Sequence, residues 1–322
     1  MTTSKPSGGS TTPEAPPDST VLTEQTPEAV ARRVRARVLE LTLKQDGCYL
    51  SQALSSAEIL ATLYTRVLQL AAVPEPLPAP QFTGVPGTVN PSPSGGRFHG
   101  EQRPGLDRFL ISPAHYAVAI YAALESVGRL EPGAFETFNT DGSTLEMIGA
   151  EHSPGFELTT GSFGQALSQS AGIAVVRQRR GEAGRTVVFM SDGELEEGQT
   201  WEAAQAVAHY RLNNLILFVD VNGQQVDGLT KDIMSVEPID ARFAAFGWNV
   251  VIVNGHDPVA IEHAVTERDG SRPLVVLCYT DTAHGVPYLD ARKPNLHYVR
   301  PKDDTDRREL RAALTALTGE QA

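Results

Sequence analysis

From residue 186 onward the chain alternates strand-length apolar runs with helical segments, and few architectures accept that rhythm. Thr186–Met190, Leu215–Val219, Val250–Val253 and Leu274–Cys278 are continuous runs with little polar alternation. A small-residue helix is predicted before the first run, at about 163–179. Further helices are predicted at about 201–211, 258–268 and 305–317. A strand that is apolar on both faces must be covered on both, and helices between successive strands supply that cover. The predicted fold class is therefore α/β, a parallel sheet with helices on both faces. Such sheets take ligands beyond the carboxyl ends of their strands, so the residues just after each run are the ones to inspect.

After the first run stands Ser191-Asp192-Gly193, and after the second Asp220-Val221-Asn222-Gly223. An ionised Asp192, the amide oxygen of Asn222 and a nearby backbone carbonyl make three hard oxygen ligands. That is a partial shell for Mg²⁺ or Ca²⁺, of the kind phosphate oxygens complete. Gly193 has no Cβ, so a diphosphate could come close to its N–H. Taken singly, Asp-Gly and Asn-Gly at strand ends are ordinary turn dipeptides.

The region before the runs is helical. Val30, Val34, Val38 and Leu41 recur at helical spacing, and a helix is predicted near 113–124. Ser55-Ser56-Ala57-Glu58 reads as a capping box opening another helix, with Ile59, Leu60, Leu63, Tyr64 and Val67 as its apolar stripe. Fifteen of the first 20 residues are Ser, Thr, Pro or Gly. Residues 1–25 are expected to be a disordered tail, with one domain over 26–322. Residues 74–105 hold eight prolines and six glycines, a stretch expected to be a mobile loop or a functional lid. A formal net charge of −12 argues against nucleic acid as a partner. The longest apolar runs are too short for a membrane span, and no hydrophobic leader is visible. Cys48 and Cys278, far apart and without an activating neighbour, fit a cytoplasmic location and are read as unreactive.

Asp192-Gly193, then 28 residues, then Asn222 matches the thiamin diphosphate signature in length and element order. The match extends well beyond that pair. The run from Ser191 through Glu194-Leu195-Glu196-Glu197-Gly198-Gln199-Thr200-Trp201-Glu202, on through Ala208–Leu215 to Val226-Asp227-Gly228, resembles the transketolase family. So do Thr159–Ser168 and Asp107–His115, and the resemblance covers about 28–301. It implies a thiamin diphosphate-binding fold, in which Asp192, Asn222 and the backbone carbonyl of Gln224 hold Mg²⁺ (or Ca²⁺) and Gly193 contacts the diphosphate. Gly161, Ser162 and Phe163 match the segment lying against the cofactor, with Phe where the family has Leu. His115 and His297 match the catalytic histidines, His115 also touching the cofactor. Glu197 and Glu202 match acidic residues at a subunit interface.

The departures fall on the substrate side. Tyr49, in Gly47-Cys48-Tyr49-Leu50-Ser51, replaces a family histidine. A second family histidine falls at Met147, with His152 nearby. His284 stands in a segment where Gly-Lys-Gly is common, and is expected near the mouth of the site. His99 is read as a loop residue, and His209, His256 and His263 as structural or exposed.

The resemblance ends with the first domain of a full-length transketolase. It therefore implies the N-terminal subunit of a two-chain enzyme, with a partner carrying the pyrimidine-binding and C-terminal domains in an α₂β₂ assembly. The implied reaction is transfer of a two-carbon ketol unit from a ketose to an aldehyde, with the altered residues suggesting a donor or acceptor unlike the usual ketose and aldose phosphates. Two alternatives stay open: a subunit that decarboxylates a 2-oxo acid and transfers an acyl group, and a non-catalytic partner-binding subunit. Intact Asp192 and Asn222 argue against the last.

Overall fold

The computed structural model describes residues 25–84 and 87–319; the tail expected over 1–25 lies, apart from Gln25, outside them. Five parallel strands form the sheet, in the order β1 (Arg108–Ile111), β2 (Thr186–Ser191), β3 (Leu215–Val221), β7 (Leu274–Tyr279), β6 (Asn249–Asn254). A two-stranded hairpin, β4 (Gln224–Gln225) and β5 (Gly228–Leu229), follows β3. The register sets Phe109 beside Val187, Val188 beside Leu217, and Phe218 beside Val276.

Alternate side chains along each strand go to opposite faces, and the two faces carry separate cores. Phe109, Val187, Phe189, Ile216, Phe218 and Val276 pack against α1 (Pro27–Lys44), α2 (Leu50–Thr62) and α3 (Ala117–Ser126). Val188, Met190, Leu217, Val219, Val275 and Leu277 pack against α4 (Gln165–Arg179), α5 (Gly198–His209) and α7 (Ile239–Phe246). A one-turn α6 (Thr230–Ile233) precedes α7, while α8 (Pro258–Thr266) and α9 (Asp304–Thr318) complete the helices.

Local chemistry sets several boundaries. Thr26 caps α1 by accepting from the Ala29 N–H at 3.2 Å, with Pro27 in the first turn. Asp257 caps α8 through the N–H groups of Val259 and Ala260, and Gly319 ends α9 at φ +74°.

Two expectations change, and one strand is added. Ser55–Glu58 do not open a helix: α2 begins at Leu50, its polar residues lie inside it, and a π-helical turn over Leu63–Val67 follows. All thirteen residues of α2 are buried, which is why its polar side chains are engaged internally. β1 carries no clear sequence signal, being only four residues long and flanked by Asp107. β6 is an edge strand with Ile252 55% exposed, so it is not buried on both faces as the other runs are.

The described part of 74–105 packs on 129–157. Leu77 N–H donates to Arg129 O at 3.1 Å, Phe82 N–H to Gly142 O at 2.8 Å and Gly95 N–H to Glu151 O at 2.7 Å. A Cβ on Gly95 would lie 1.8 Å from Ser153 O, so only glycine allows that approach. None of the described residues of this segment lines the crevice at the strand ends. No described helix is long and apolar enough to cross a membrane.

Candidate active site

The carboxyl ends of β2 and β3 open into a crevice of about 470 Å³. One wall is the turn after β2 together with the segment after β3. Asp192, 1% exposed, accepts from the Gly223 N–H through Oδ2 at 2.7 Å, which draws the two strand ends together. Its other oxygen, Oδ1, is buried without any partner. Burial first, and then Asp220, push the Asp192 carboxyl well above its ordinary range, against backbone N–H groups of Gly223 and Gly193. Asn222 Oδ1 accepts from the Gln224 N–H at 3.0 Å. Gly193 is open toward the crevice: a Cβ there would meet only Gln225 Cβ, at 3.5 Å.

Beneath this wall lies a web of buried carboxylates. Asp220 Oδ2 accepts from Ser55 Oγ at 2.6 Å, Tyr116 Oη at 2.8 Å and Asn222 Nδ2 at 3.2 Å, and Oδ1 accepts from Thr280 Oγ1. Glu194 joins Ser112 at the end of β1 to Ser191 at the end of β2, and burial pushes its carboxyl up to about 7. Sequence reasoning misses Asp220, Glu194 and Tyr116. The signal available is polar residues (Ser51, Gln52, Ser55) at helical spacing in an otherwise apolar segment, together with an aspartate closing a continuous apolar strand.

The opposite wall is aromatic. Cys48 and Val299 exchange backbone hydrogen bonds at 3.0 and 3.1 Å, which brings Tyr49 to His297. Ser51 Oγ donates to Leu296 O at 2.7 Å and Gln52 Nε2 to His297 O at 3.0 Å, so the start of α2 holds this segment. His115 enters from the helical turn after β1, its ring centroid 5.0 Å from His297, 5.6 Å from Tyr49 and 5.7 Å from Phe163. Burial, and secondarily His297, lower His115 to about 3. Burial lowers His297 too, partly offset by Asp227. Both imidazoles are therefore neutral near pH 7, each with one nitrogen to donate and one to accept.

The residues expected at the site come together here. His115, Gly161, Phe163, Gly193, Asn222, Gln224 and His297 line the crevice, and Asp192 is buried between its lining neighbours Ser191 and Gly193. Gly161 needs its φ of +98°, and a Cβ on it would lie 2.9 Å from Ala114 Cβ. The Ser162 side chain instead accepts from Gln165 Nε2 at 3.0 Å. Glu197 lines the crevice and Glu202 is exposed away from it. Tyr49 lines it; His152 does not, being paired with Glu146 at 2.9 Å and packed on Phe82. His284 is not at the mouth either, but stacks on His256 with ring centroids 3.7 Å apart. His99 is buried between Tyr64 and Glu157. Burial pushes the Cys48 thiol up to about 12 and Cys278 well above its ordinary value, in keeping with two unreactive thiols.

Among the described residues no lysine or arginine lines the crevice, while Glu196, Glu197 and Asp227 do. A diphosphate would enter it favourably only with a divalent cation, and the buried, unpartnered Asp192 Oδ1 fits one. The other group with ligand spacing among the described residues, Glu58 with His256 and His284, is already satisfied. His256 Nδ1 pairs with Glu58 at 2.9 Å, its Nε2 accepts from the Asp281 N–H at 2.9 Å, and Arg35 holds both Glu58 oxygens.

Residues 99–314 match the family described as transketolase, thiamine diphosphate binding domain. A transketolase family protein of Sinorhizobium fredii is 36% identical over 274 residues, covering 84% of this chain and 88% of that protein. One subunit of an apulose-4-phosphate transketolase from Actinobacillus succinogenes is 30% identical over 296 residues, 91% of this chain and 96% of its own. Among solved structures, a transketolase from Campylobacter jejuni superposes with a TM-score of 0.68 at 20% identity. That match covers 91% of this chain and 42% of the Campylobacter chain, so the likeness there is one of fold over less than half of the larger protein.

Proposed function

This chain belongs to the transketolase family, and on that premise we propose that it is the diphosphate-binding subunit of a two-chain enzyme. The enzyme would use thiamin diphosphate and Mg²⁺ to move a two-carbon ketol unit from a ketose donor to an aldehyde acceptor. The single observation carrying this is the buried, unpartnered Asp192 Oδ1 at the end of β2, next in sequence to Gly193 of a crevice that no described lysine or arginine lines. Asp192, Asn222 and the Gln224 carbonyl would hold the cation, Gly193 would let the diphosphate approach, and Gly161 and Phe163 would lie along the cofactor. When bound, thiamin diphosphate supplies the carbanion chemistry. His115 and His297 would hold the substrate's oxygens and move protons at their imidazole nitrogens, a role their neutral state permits. Tyr49, edge-on to both, would narrow the substrate end of the crevice and favour donors unlike those of family members with histidine there.

The second chain would bring the pyrimidine-binding and C-terminal domains, a reading supported by the name of the Actinobacillus relative, which is one subunit of its transketolase. An α₂β₂ assembly with the rim of the crevice, including Glu197, against the partner is the arrangement we infer. Isothermal titration of the chain with thiamin diphosphate and Mg²⁺, alone and with the partner, tests the reading. We expect cation-dependent binding, and ketol transfer only when both chains are present. Absence of cation-dependent binding under both conditions would overturn it.

A further inference from the structure

Asn222 is useful to a cation only if its amide turns the oxygen outward, and an amide can flip. Its Nδ2 donates to Tyr116 Oη at 3.0 Å and to Asp220 Oδ2 at 3.2 Å. The Tyr116 hydroxyl hydrogen is already committed to Asp220 Oδ2, at 2.8 Å, so Tyr116 can only accept from Asn222. In the flipped orientation the amide oxygen would face the Asp220 carboxylate and the Tyr116 oxygen lone pairs. The NH₂ would then meet the Gln224 N–H that now donates to Oδ1 at 3.0 Å. Three contacts would turn repulsive in a part-buried setting, where unmet polar groups are costly.

We propose that Tyr116 and Asp220 are positioning residues that lock the Asn222 side-chain amide with Oδ1 facing the cation. This rests on the reading of the crevice as a Mg²⁺–thiamin diphosphate site. Asp220 is suited to the task because it needs no cation itself: it is fully buried and takes four donors, from Ser55, Tyr116, Asn222 and Thr280. Those donors come from α2, the turn after β1, and the ends of β3 and β7, so the carboxylate is held from four directions. Only two of the contacts, those through Tyr116 and Asp220 themselves, reach Asn222.

That asymmetry supplies the test. Groups that orient a metal ligand typically change affinity about 10–100-fold when removed. Mn²⁺ binding in the presence of thiamin diphosphate, followed by titration calorimetry and by the Mn²⁺ paramagnetic resonance signal, is measured on the full chain with its partner. Tyr116→Phe and Asp220→Asn should each weaken Mn²⁺ roughly 10–100-fold. Thr280→Val removes a donor to Asp220 but leaves both Asn222 contacts, and should bind Mn²⁺ within about twofold of the unaltered protein. Melting curves accompany each variant; should Asp220→Asn fail to fold, Tyr116→Phe, which loses one hydroxyl, carries the test. Unchanged Mn²⁺ affinity in Tyr116→Phe, or an equal loss in Thr280→Val, overturns the lock while leaving the cofactor reading intact. If the unaltered protein binds no Mn²⁺ with the cofactor, both fall together.

Discussion

Two buried carboxylate clusters meet α2 about one turn apart, at Ser55 and at Glu58, and their electrostatics are opposite. On one side Glu58 is neutralised: Arg35 bonds both its oxygens, one at 2.5 Å, and His256 adds a third contact at 2.9 Å. On the other, Asp192 and Asp220 lie buried together with donors but no basic side chain, and one Asp192 oxygen is left bare. Burial opposes the ionisation of Glu58, yet His256 and Arg35 outweigh it and hold that carboxyl below its ordinary range. Asp192 is shifted the other way. A charge that folding has already compensated serves the fold, whereas one left uncompensated is poised for something that arrives later.

The largest effect expected from this contrast is on stability. Arg35→Leu leaves Glu58 buried with only His256 to answer it, and breaking one side of a buried pair costs about 3–5 kcal/mol. Denaturant unfolding should show that loss, while the folded fraction keeps its affinity for thiamin diphosphate and Mg²⁺. A parallel loss of cofactor affinity would mean that the two clusters are coupled across α2 and that the division between them is wrong.

Asp192→Asn should do the reverse. It keeps shape and removes the buried titratable carboxyl, so the protein without cofactor should be at least as stable, while cofactor-dependent cation binding falls about a hundredfold, the upper end of what loss of a merely orienting partner costs. Calorimetric titration and a melting curve on the same preparation read both. A variant that loses stability but binds normally would place Asp192 with Glu58 among the structural carboxylates.

At the substrate end the expected change is smaller. Tyr49→His puts a third imidazole beside His115 and His297. It should alter the ratio of kcat/KM between competing ketose donors by roughly tenfold, the scale of a single altered contact in a pocket. Cofactor affinity should stay within about twofold, because Tyr49 touches the imidazole wall and not the strand-end wall. Equal effects on both would show that the two walls do not divide cofactor from substrate.

Most of the sheet and the chemical side chains are legible in the residues, because continuous apolar runs and turn residues at their ends report directly on a parallel sheet. Asp192, Asn222, His115 and His297 sit where motif and strand end coincide. Long-range pairing is not legible. Nothing local tells that Ser55 will meet Asp220, 165 positions away, or that His256 and not the crevice will take His284. Ser55–Glu58 resemble a helix cap because caps and buried polar partners use the same residue types, and only the surrounding burial separates them. His152, close in sequence to the position of the family's second histidine, is held off by Glu146 and Phe82.

The effect that is smallest at any one pH step is a slope with pH, and it separates the clusters by sign. Glu58, with its folded pKa lowered, adds stability that is present above its unfolded value near 4.5 and lost only as pH falls through the lower folded value. Between pH 5 and 9 it should be flat. Asp192 has its folded pKa raised, so the folded protein without cation binds a proton that the unfolded chain releases near pH 3.8. Its contribution must then decline as pH rises, by at most about 1.4 kcal/mol per unit, until the folded pKa is passed. Glu194 slopes the same way but is common to the unaltered protein and Asp192→Asn, so the difference between their unfolding free energies isolates Asp192. That difference should move steadily in favour of the variant from pH 5 upward. With saturating Mg²⁺ and thiamin diphosphate the Asp192 decline should vanish, because the cation keeps that carboxylate ionised in the folded chain as it already is in the unfolded one. Parallel profiles for the two proteins without cofactor would mean that Asp192 is ionised and compensated in the folded chain, and the contrast between the two clusters would be lost.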